Sequence, residues 1–249
     1  MNLHATEASL KETLEKFGKL VPSEVSVFEN GKLVPKTPYL LGCFQAMISS
    51  RILDLAEAAT ECYDGNRFVP AAILIRAVME SAALAHYVQE LVRKQCDASD
   101  LKASHEALGR AMIGSKFDWK KHKHLIGDVE IKNKINAYQI LDAIDSVVKI
   151  RKDFRLHYDA LSEYAHPNHE GTWASYGSRE TTKMKMDPAR FPIESRSYIL
   201  QSLEQAILVS IAAFGALGVL YCDLIFLSLA DLKKIEDAKH GQRLGADQP

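Results

Sequence analysis

The chain has 249 residues, with 31 Lys and Arg against 32 Asp and Glu, and 47% of its residues are hydrophobic. These values are typical of a folded, water-soluble domain and exclude a disordered or low-complexity chain. The net charge of -1 excludes a global attraction to nucleic acid, so a polynucleotide would need a local basic patch. With 13 Gly and 8 Pro, the chain favours long helices over a β-sandwich.

The N-terminal region predicts a helix followed by a hairpin. Leu10, Leu14 and Phe17 lie at helical spacing among charged residues. Apolar and polar residues then alternate from 25 to 38 around Asn30-Gly31, a dipeptide that favours a tight turn. We therefore expect residues 1–38 to form an amphipathic helix and a small hairpin or extended arm.

The remaining sequence predicts a helical bundle. Apolar residues follow helical spacing over 39–62, 71–92 and 101–112. Asp64-Gly65-Asn66 ends the first of these helices, and Pro70 precedes the second. Residues 129–165 predict one or two helices, and 193–239 predict a long helix or a broken pair. Residues 115–127 and 166–191 are expected to be loops. The predicted fold is all-α, a single bundle of about six or seven helices over 39–239, with a flexible tail at 240–249.

Residues 206–229 form an apolar run that is long enough to cross a bilayer. The run contains one formal charge, Asp223, and many small residues that suit close helix packing. The pattern favours the central helix of a soluble bundle, with a transmembrane helix as the alternative.

The cysteine pattern indicates a reducing compartment. The four cysteines are irregularly spaced, form no C-x-x-C pair and lie in or beside apolar runs; they are Cys43, Cys62, Cys96 and Cys222. Buried thiols fit this usage, and the N-terminal segment lacks the pattern of a secretory signal. We expect a cytoplasmic protein without a cofactor.

Two charged residues interrupt the apolar helix predicted at 71–92. Arg76 and Glu80 are four residues apart, so they share a helix face and can pair. Burying such a pair is costly unless it fixes packing or belongs to a functional site. Both interpretations remain open from the sequence.

A second polar constellation lies in the segment RLHYDALSEYAHPN, residues 155–168. Tyr158, Ser162 and His166 recur every four residues, which predicts a slowly drifting stripe of hydrogen-bonding side chains on one helix. His166 lies at the helix C-terminus, where the helix dipole favours a cation, so it could act as a general acid/base, bind phosphate or cap the helix. The neighbouring His157 is expected to be exposed.

These residues resemble those of the HEPN-like group of all-α bacterial proteins. The motifs are an R-x-x-x-E pair and, about eighty residues later, Y-x-x-x-S-x-x-x-H-P, formed by Arg76, Glu80, Tyr158, Ser162, His166 and Pro167. The resemblance covers about residues 39–229. It implies nucleotide or RNA binding, a homodimer and a candidate metal-independent endoribonuclease activity in a defence or toxin system.

In HEPN ribonucleases an R-x(4–6)-H motif supplies an arginine and a histidine. Here Arg155 lies eleven residues before His166, so Arg76 would have to supply the arginine. His166 would then transfer protons and Arg76 would stabilise the phosphorane charge, with Glu80 orienting either group. Tyr158 and Ser162 would donate hydrogen bonds.

Further candidate substrate-binding residues lie beside the stripe and in a basic, aromatic loop that could hold phosphates and stack on a base. They are Arg155, Asn168, Trp119, Lys120 and Lys121. Solvated loop residues are the alternative interpretation for those in the loop.

Two other functions compete with the nucleotide or RNA hypothesis. Glu163 and His166 have the E-x-x-H spacing of a metal-binding helix, followed by His169 and Glu170, but the chain contains no second E-x-x-H. A non-enzymatic interaction protein could instead use the polar cluster as a structural network and dimerise through its apolar C-terminal helix. The sequence lacks nucleotide-triphosphatase, zincin, hydrolase-elbow and Rossmann motifs.

Overall fold

A computed structural model describes residues 3–29, 31–114, 136–179, 183–186, 191 and 193–246. The elements are α1 (Leu3–Leu20), β1 (Phe28–Glu29), β2 (Lys32–Leu33), α2 (Lys36–Asp64), α3 (Phe68–Asp97), α4 (Leu101–Ile113), α5 (Ile140–Val148), α6 (Phe154–Ala165), a π-helical segment (His169–Ala174), β3 (Gly177–Arg179), β4 (Met184–Met186) and α7 (Ile193–Ala246). Seven α-helices dominate the described residues, which confirms the all-α prediction.

The predicted N-terminal hairpin is confirmed. Strands β1 and β2 are antiparallel, with Phe28 opposite Leu33 and Glu29 opposite Lys32, which leaves a two-residue turn. Gly31 has a φ of 74°, the left-handed conformation that glycine adopts without steric cost. A glycine at this position therefore permits the tight turn between β1 and β2 that the sequence predicts.

The predicted boundary between the second and third helices is also confirmed. The N–H of Arg67 donates to the Cys62 carbonyl at 2.8 Å, and Asn66 adopts a left-handed φ of 56°. These features close the last turn of α2 in the manner of a left-handed C-cap. Helix α3 then starts at Phe68, so Pro70 lies in its first turn, where a missing N–H costs no hydrogen bond.

The chain divides into two compact units. The first unit comprises Met1–Ser23, Ala46–Tyr87 and Gln139–Phe214. Its buried apolar residues come from every helix it contains, and Phe17 packs edge-to-face on Phe214 with ring centroids 5.9 Å apart. Burial of these side chains supplies the main favourable free energy of this unit.

The second unit comprises Glu24–Gln45, Val88–Tyr138 and Gly215–Pro249. Leu108 and Leu220 are fully buried there. Arg93 of α3 forms an ion pair with Asp223 of α7 at 2.6 Å. The division that we predicted at residues 38 and 239 remains a prediction.

The region expected to hold one or two helices over 129–165 contains two in its described part, α5 and α6, which residues 149–153 separate. Residues 136–139 precede α5 and are not helical. The basic loop with Trp119, Lys120 and Lys121 lies outside the described residues.

The segment 166–191 was predicted to be a surface loop, and this prediction is wrong for its described part. It contains a π-helical segment and the antiparallel pair β3–β4, with Ser178 opposite Lys185. Phe191 is 2% exposed and packs against the rings of Phe68 and Tyr164, at centroid distances of 5.3 and 5.0 Å. The ring of Phe191 and the side chain of Asn168, which accepts from the N–H of Gly171, therefore stabilise the described part of a segment that lacks periodicity.

Helix α7 is a single helix of 54 residues, so the C-terminal region is not a broken pair. It continues to Ala246, into the segment for which we predicted a flexible tail from residue 240. No proline occurs between 193 and 246 to interrupt the backbone hydrogen bonds.

Two described helices are long and apolar enough to cross a membrane, Phe68–Asp97 and Ser195–Lys234. Length and composition are weak evidence for a span, because a core helix has the same properties. Within the most apolar windows, 56% of the α3 residues but only 39% of the α7 residues are buried.

The prediction of buried cysteines holds for Cys62 and Cys96 and is wrong for Cys222, which is exposed on α7. Cys43 is half-buried. An apolar neighbourhood in sequence therefore did not guarantee burial, because α7 is apolar on more than the face that its own chain covers.

Candidate functional site

Arg76, Glu80 and Tyr158 form a hydrogen-bonded cluster in the first unit. The Tyr158 hydroxyl donates to Oε1 of Glu80 at 3.0 Å and accepts from Nη2 of Arg76 at 3.1 Å. The same Nη2 lies 3.3 Å from Oε1 of Glu80, so the charges pair directly as well. The structure thus brings together two helices, α3 and α6, through three of the predicted site residues.

The cluster lies at the edge of the core. Tyr158 is 4% exposed, whereas the side chains of Arg76 and Glu80 retain 29% and 31% of their exposure. Ile75 and Met79, beside the pair on α3, are fully buried. The phenol therefore lies inside while the charged groups reach solvent, which avoids most of the desolvation cost of a fully buried pair.

Arg76 has an unusual hydrogen-bonding state. Its Nε atom is buried and has no hydrogen-bond partner among the described residues. Burial alone lowers the pKa of the guanidinium, but Tyr158 and Glu80 raise it, and the net pKa lies above its ordinary value. The result is a permanently charged group that Tyr158 and Glu80 hold in place through Nη2, with its buried Nε donor unpaired among the described residues.

Ser162 and His166 do not join this cluster. Ser162 Oγ donates to the Tyr158 carbonyl at 2.8 Å, one turn back along α6. His166 is exposed, its backbone N–H donates to the Ser162 carbonyl at 3.2 Å, and its side chain makes no hydrogen bond within the described part of the chain.

The geometry of a helix explains this separation. Residues four apart are rotated by about 400°, so each step advances about 40° beyond a full turn. Two such steps rotate the side-chain position by about 80° around α6, so Tyr158 is buried whereas His166 faces solvent. The backbone distance between these two positions is about 12 Å along the axis, for eight residues.

The two described substrate-binding candidates have partners within the protein. Arg155 donates from Nε to Asp159 at 2.9 Å and from Nη1 to Asp145 at 2.8 Å, which links α5 to α6. These two carboxylates raise the pKa of the Arg155 guanidinium above its ordinary value.

Asn168 organises the π-helical segment that follows α6. Its Oδ1 accepts from the N–H of Gly171 at 2.9 Å, and its Nδ2 donates to Glu163 at 2.6 Å. Glu163 is therefore engaged in a structural contact, and the described residues contain no group of three or more potential metal ligands. The E-x-x-H hypothesis gains no support from this arrangement.

His157 was expected to be exposed, and the structure contradicts this expectation. It is 8% exposed, stacks on Tyr198 with centroids 4.4 Å apart, and its Nδ1 lies 2.8 Å from Oγ of Ser202. Because Ser202 Oγ donates to the Tyr198 carbonyl, Nδ1 must carry the proton of the neutral ring. Burial lowers the pKa of His157, and the charge of Asp153 opposes this shift.

The sequence contained a signal for this burial. Phe154, His157, Tyr158 and Leu161 follow the i, i+3, i+4, i+7 pattern of one helix face, and all four are buried. The stripe of polar residues had suggested a different orientation for His157.

Comparison with known proteins adds no relationship: no family model, curated protein or solved structure matches this chain.

Proposed function

We propose that the Arg76–Glu80–Tyr158 cluster binds a phosphate group of RNA or a nucleotide. The observation that carries the proposal is the guanidinium of Arg76, which Tyr158 and Glu80 hold in place while 29% of the side chain stays exposed. The Nε atom itself is inaccessible, so a phosphate oxygen would bind at the exposed part of the guanidinium, where hydrogen bonds to a charged group contribute about 1.5–3 kcal/mol. Arginine suits phosphate because its planar group can donate two parallel hydrogen bonds.

Tyr158 and Glu80 support this role by fixing the guanidinium. Both contact Nη2, so the orientation of the group is set before a ligand arrives. Glu80 offsets part of the positive charge, which predicts weak binding to a lone phosphate and stronger binding when other contacts add to it.

A polynucleotide fits the arrangement better than a mononucleotide does. His166 exposes its ring about two helical turns beyond Tyr158, or about 12 Å of α6. A ligand that contacts both Arg76 and His166 therefore has to extend along α6. RNA of two or more nucleotides can do so, and its 2′-hydroxyl would lie within reach of a general base, which is the chemistry that the HEPN-like resemblance implies.

The experiment incubates the purified protein with a mixed RNA pool in EDTA and follows filter retention and fragment release. We expect retention by wild type and weaker retention by Arg76→Gln. If His166 transfers protons, fragments form with wild type and are lost in His166→Ala. The matched control is His105→Ala, because His105 lies on α4 and contacts Thr37 instead.

The outcomes separate the hypotheses. Retention without fragments leaves an RNA-binding module without catalysis. Absence of both from a folded wild-type protein refutes the proposal and favours the second candidate, a structural network. That candidate is supported by Tyr158, whose hydroxyl is satisfied on both sides inside the fold.

A further inference from the structure

Helix α7 carries an uncovered apolar stripe in the second unit. Six exposed residues on one face of this helix follow one another at spacings of four, three, four, three and four residues; they are Gly215, Val219, Cys222, Phe226, Leu229 and Lys233, here named the α7 stripe. Phe226 is 72% exposed, Val219 57% and Leu229 53%. The opposite face of the same helix segment, with Leu220 and Leu224, is fully buried.

The spacing indicates another helix as the occupant of the stripe. An alternation of three and four residues averages 3.5, the repeat that keeps a seam facing a partner helix along its length. A row of large exposed apolar residues on one face commonly marks an interaction surface. None of the first five stripe residues is charged, so the partner has to present an uncharged apolar strip.

Lipid is a poor occupant of this surface. Asp223 is adjacent to Cys222, and its ion pair with Arg93 leaves the two side chains 41% and 35% exposed. Moving that pair from water into hydrocarbon would be costly. At the rim of a protein interface the pair could stay hydrated and locally neutral.

We infer that the α7 stripe binds the same stripe of a second copy of this chain, antiparallel and related by a two-fold axis near residue 224. This inference is independent of the proposed function. The reversed stripe is self-complementary in size: Phe226 lies opposite the small Cys222 of the second copy, and Val219 lies opposite Leu229. A two-fold interface needs only this one surface, which contacts itself.

The ends of the stripe also favour the antiparallel direction. Lys233 lies opposite Gly215 of the second copy, and a side chain built at Gly215 would meet nothing within 4 Å, so the lysine stem has room there. The two Lys233 residues then lie about 27 Å apart along the axis. A parallel pair would place like charges side by side and leave a gap between the two glycines.

The first test measures the oligomeric state by sedimentation equilibrium on the full chain. We expect a wild-type dimer, and a dissociation constant that rises at least about 100-fold in Phe226→Glu, because a central aromatic anchor is lost and a charge is added. Leu156→Glu is the matched control, since Leu156 is 63% exposed on α6, and its dimer should be unchanged. Circular dichroism checks that both variants fold.

A monomeric wild type at every concentration would overturn the inference. So would a Phe226-dependent association of the wild type with phosphatidylcholine vesicles, because the stripe would then face lipid. Equal loss of the dimer in both glutamate variants would also contradict a specific interface.

The second test determines the direction by disulfide cross-linking in a Cys222→Ser background. Val219→Cys and Leu229→Cys proteins are oxidised separately and as a mixture. The antiparallel arrangement predicts cross-links in the mixture only, because two copies of residue 219 lie about 15 Å apart along the axis and a disulfide needs Cα atoms within about 7 Å. Cross-linking of the Val219→Cys protein by itself would instead show parallel helices and overturn the inferred geometry; the Cys222→Ser background measures reaction of the other cysteines.

Discussion

Replacement of Tyr158 by phenylalanine tests the cluster with a minimal change. The substitution keeps the ring that packs in the core and removes the hydroxyl that bonds both Glu80 and Arg76. Hydrogen bonds to charged groups contribute about 1.5–3 kcal/mol each. Because Arg76 and Glu80 still pair directly and reach solvent, water can replace part of this loss. We therefore expect a decrease of about 2 kcal/mol in the free energy of unfolding.

The assay is urea unfolding followed by circular dichroism, with thermal unfolding as a second measure. A loss of about 2 kcal/mol corresponds to a decrease of about 4–8 °C in the melting temperature of a chain of this size. Tyr198→Phe is the matched control, because the Tyr198 hydroxyl is buried without a partner among the described residues. Its removal should be neutral or slightly stabilising. A cost below about 0.5 kcal/mol for Tyr158→Phe, or equal costs for both variants, would refute the reasoning.

Three further predictions concern single side chains and glycines elsewhere in the fold. Burial lowers the pKa of His157 below its ordinary value of 6.5, so the unfolded chain binds a proton more readily than the folded chain does. The contribution of the neutral ring to the free energy of unfolding is therefore fully present above pH 6.5 and decreases as the pH falls below 6.5. Urea midpoints measured at several pH values should decrease less at low pH in His157→Gln than in wild type. An equal decrease in both proteins would assign the pH dependence to other groups. Gly171→Ala should destabilise the protein, because its Cβ would lie 2.0 Å from the His166 carbonyl, whereas Gly109→Ala, with nothing within 4 Å, should stabilise α4 by about 0.5–1 kcal/mol. A change in melting temperature of the same sign in both glycine variants would contradict this prediction. Phe191→Ala should cost about 3–5 kcal/mol by leaving a cavity beside Phe68 and Tyr164, and a cost below about 1 kcal/mol in urea unfolding would show that the ring is not an anchor.

The sequence predicted those parts of the fold in which local chemistry and burial agree. The turn at Gly31 and the end of α2 before Asn66 follow from left-handed backbone conformations that few residues adopt. The α3 helix follows from its long apolar pattern, and 56% of the residues in its most apolar window are buried. These elements needed no information from distant parts of the chain.

The sequence was less informative where long-range contacts decide the structure. The segment after Pro167 has no periodic pattern, and its described part is stabilised by the side chain of Asn168 and by the ring of Phe191, through contacts that only the folded chain supplies. Helix α7 has an almost uniform apolar pattern, so the sequence could not separate its buried face from the exposed stripe that contains Cys222.

The candidate site was predicted in part. The four-residue spacing of Arg76 and Glu80 predicted their pairing, which is confirmed, and Tyr158 joins them. The same spacing on α6 suggested that His166 would share the cluster, but a four-residue period drifts about 40° per step and carries it to the surface. Residues four apart on a helix therefore share a face, whereas residues eight apart, rotated by about 80°, do not.

The most direct test of the central proposal is the affinity for RNA of wild type, Arg76→Gln and Arg93→Gln, measured at several salt concentrations. Arg93 is the matched control, because it lies on the same helix and pairs with a carboxylate. We expect the dissociation constant of Arg76→Gln to rise about tenfold and the slope of its salt dependence to decrease by about one phosphate contact, while Arg93→Gln binds as wild type does. Superimposable curves for folded wild type and Arg76→Gln would contradict the proposal that Arg76 receives a phosphate.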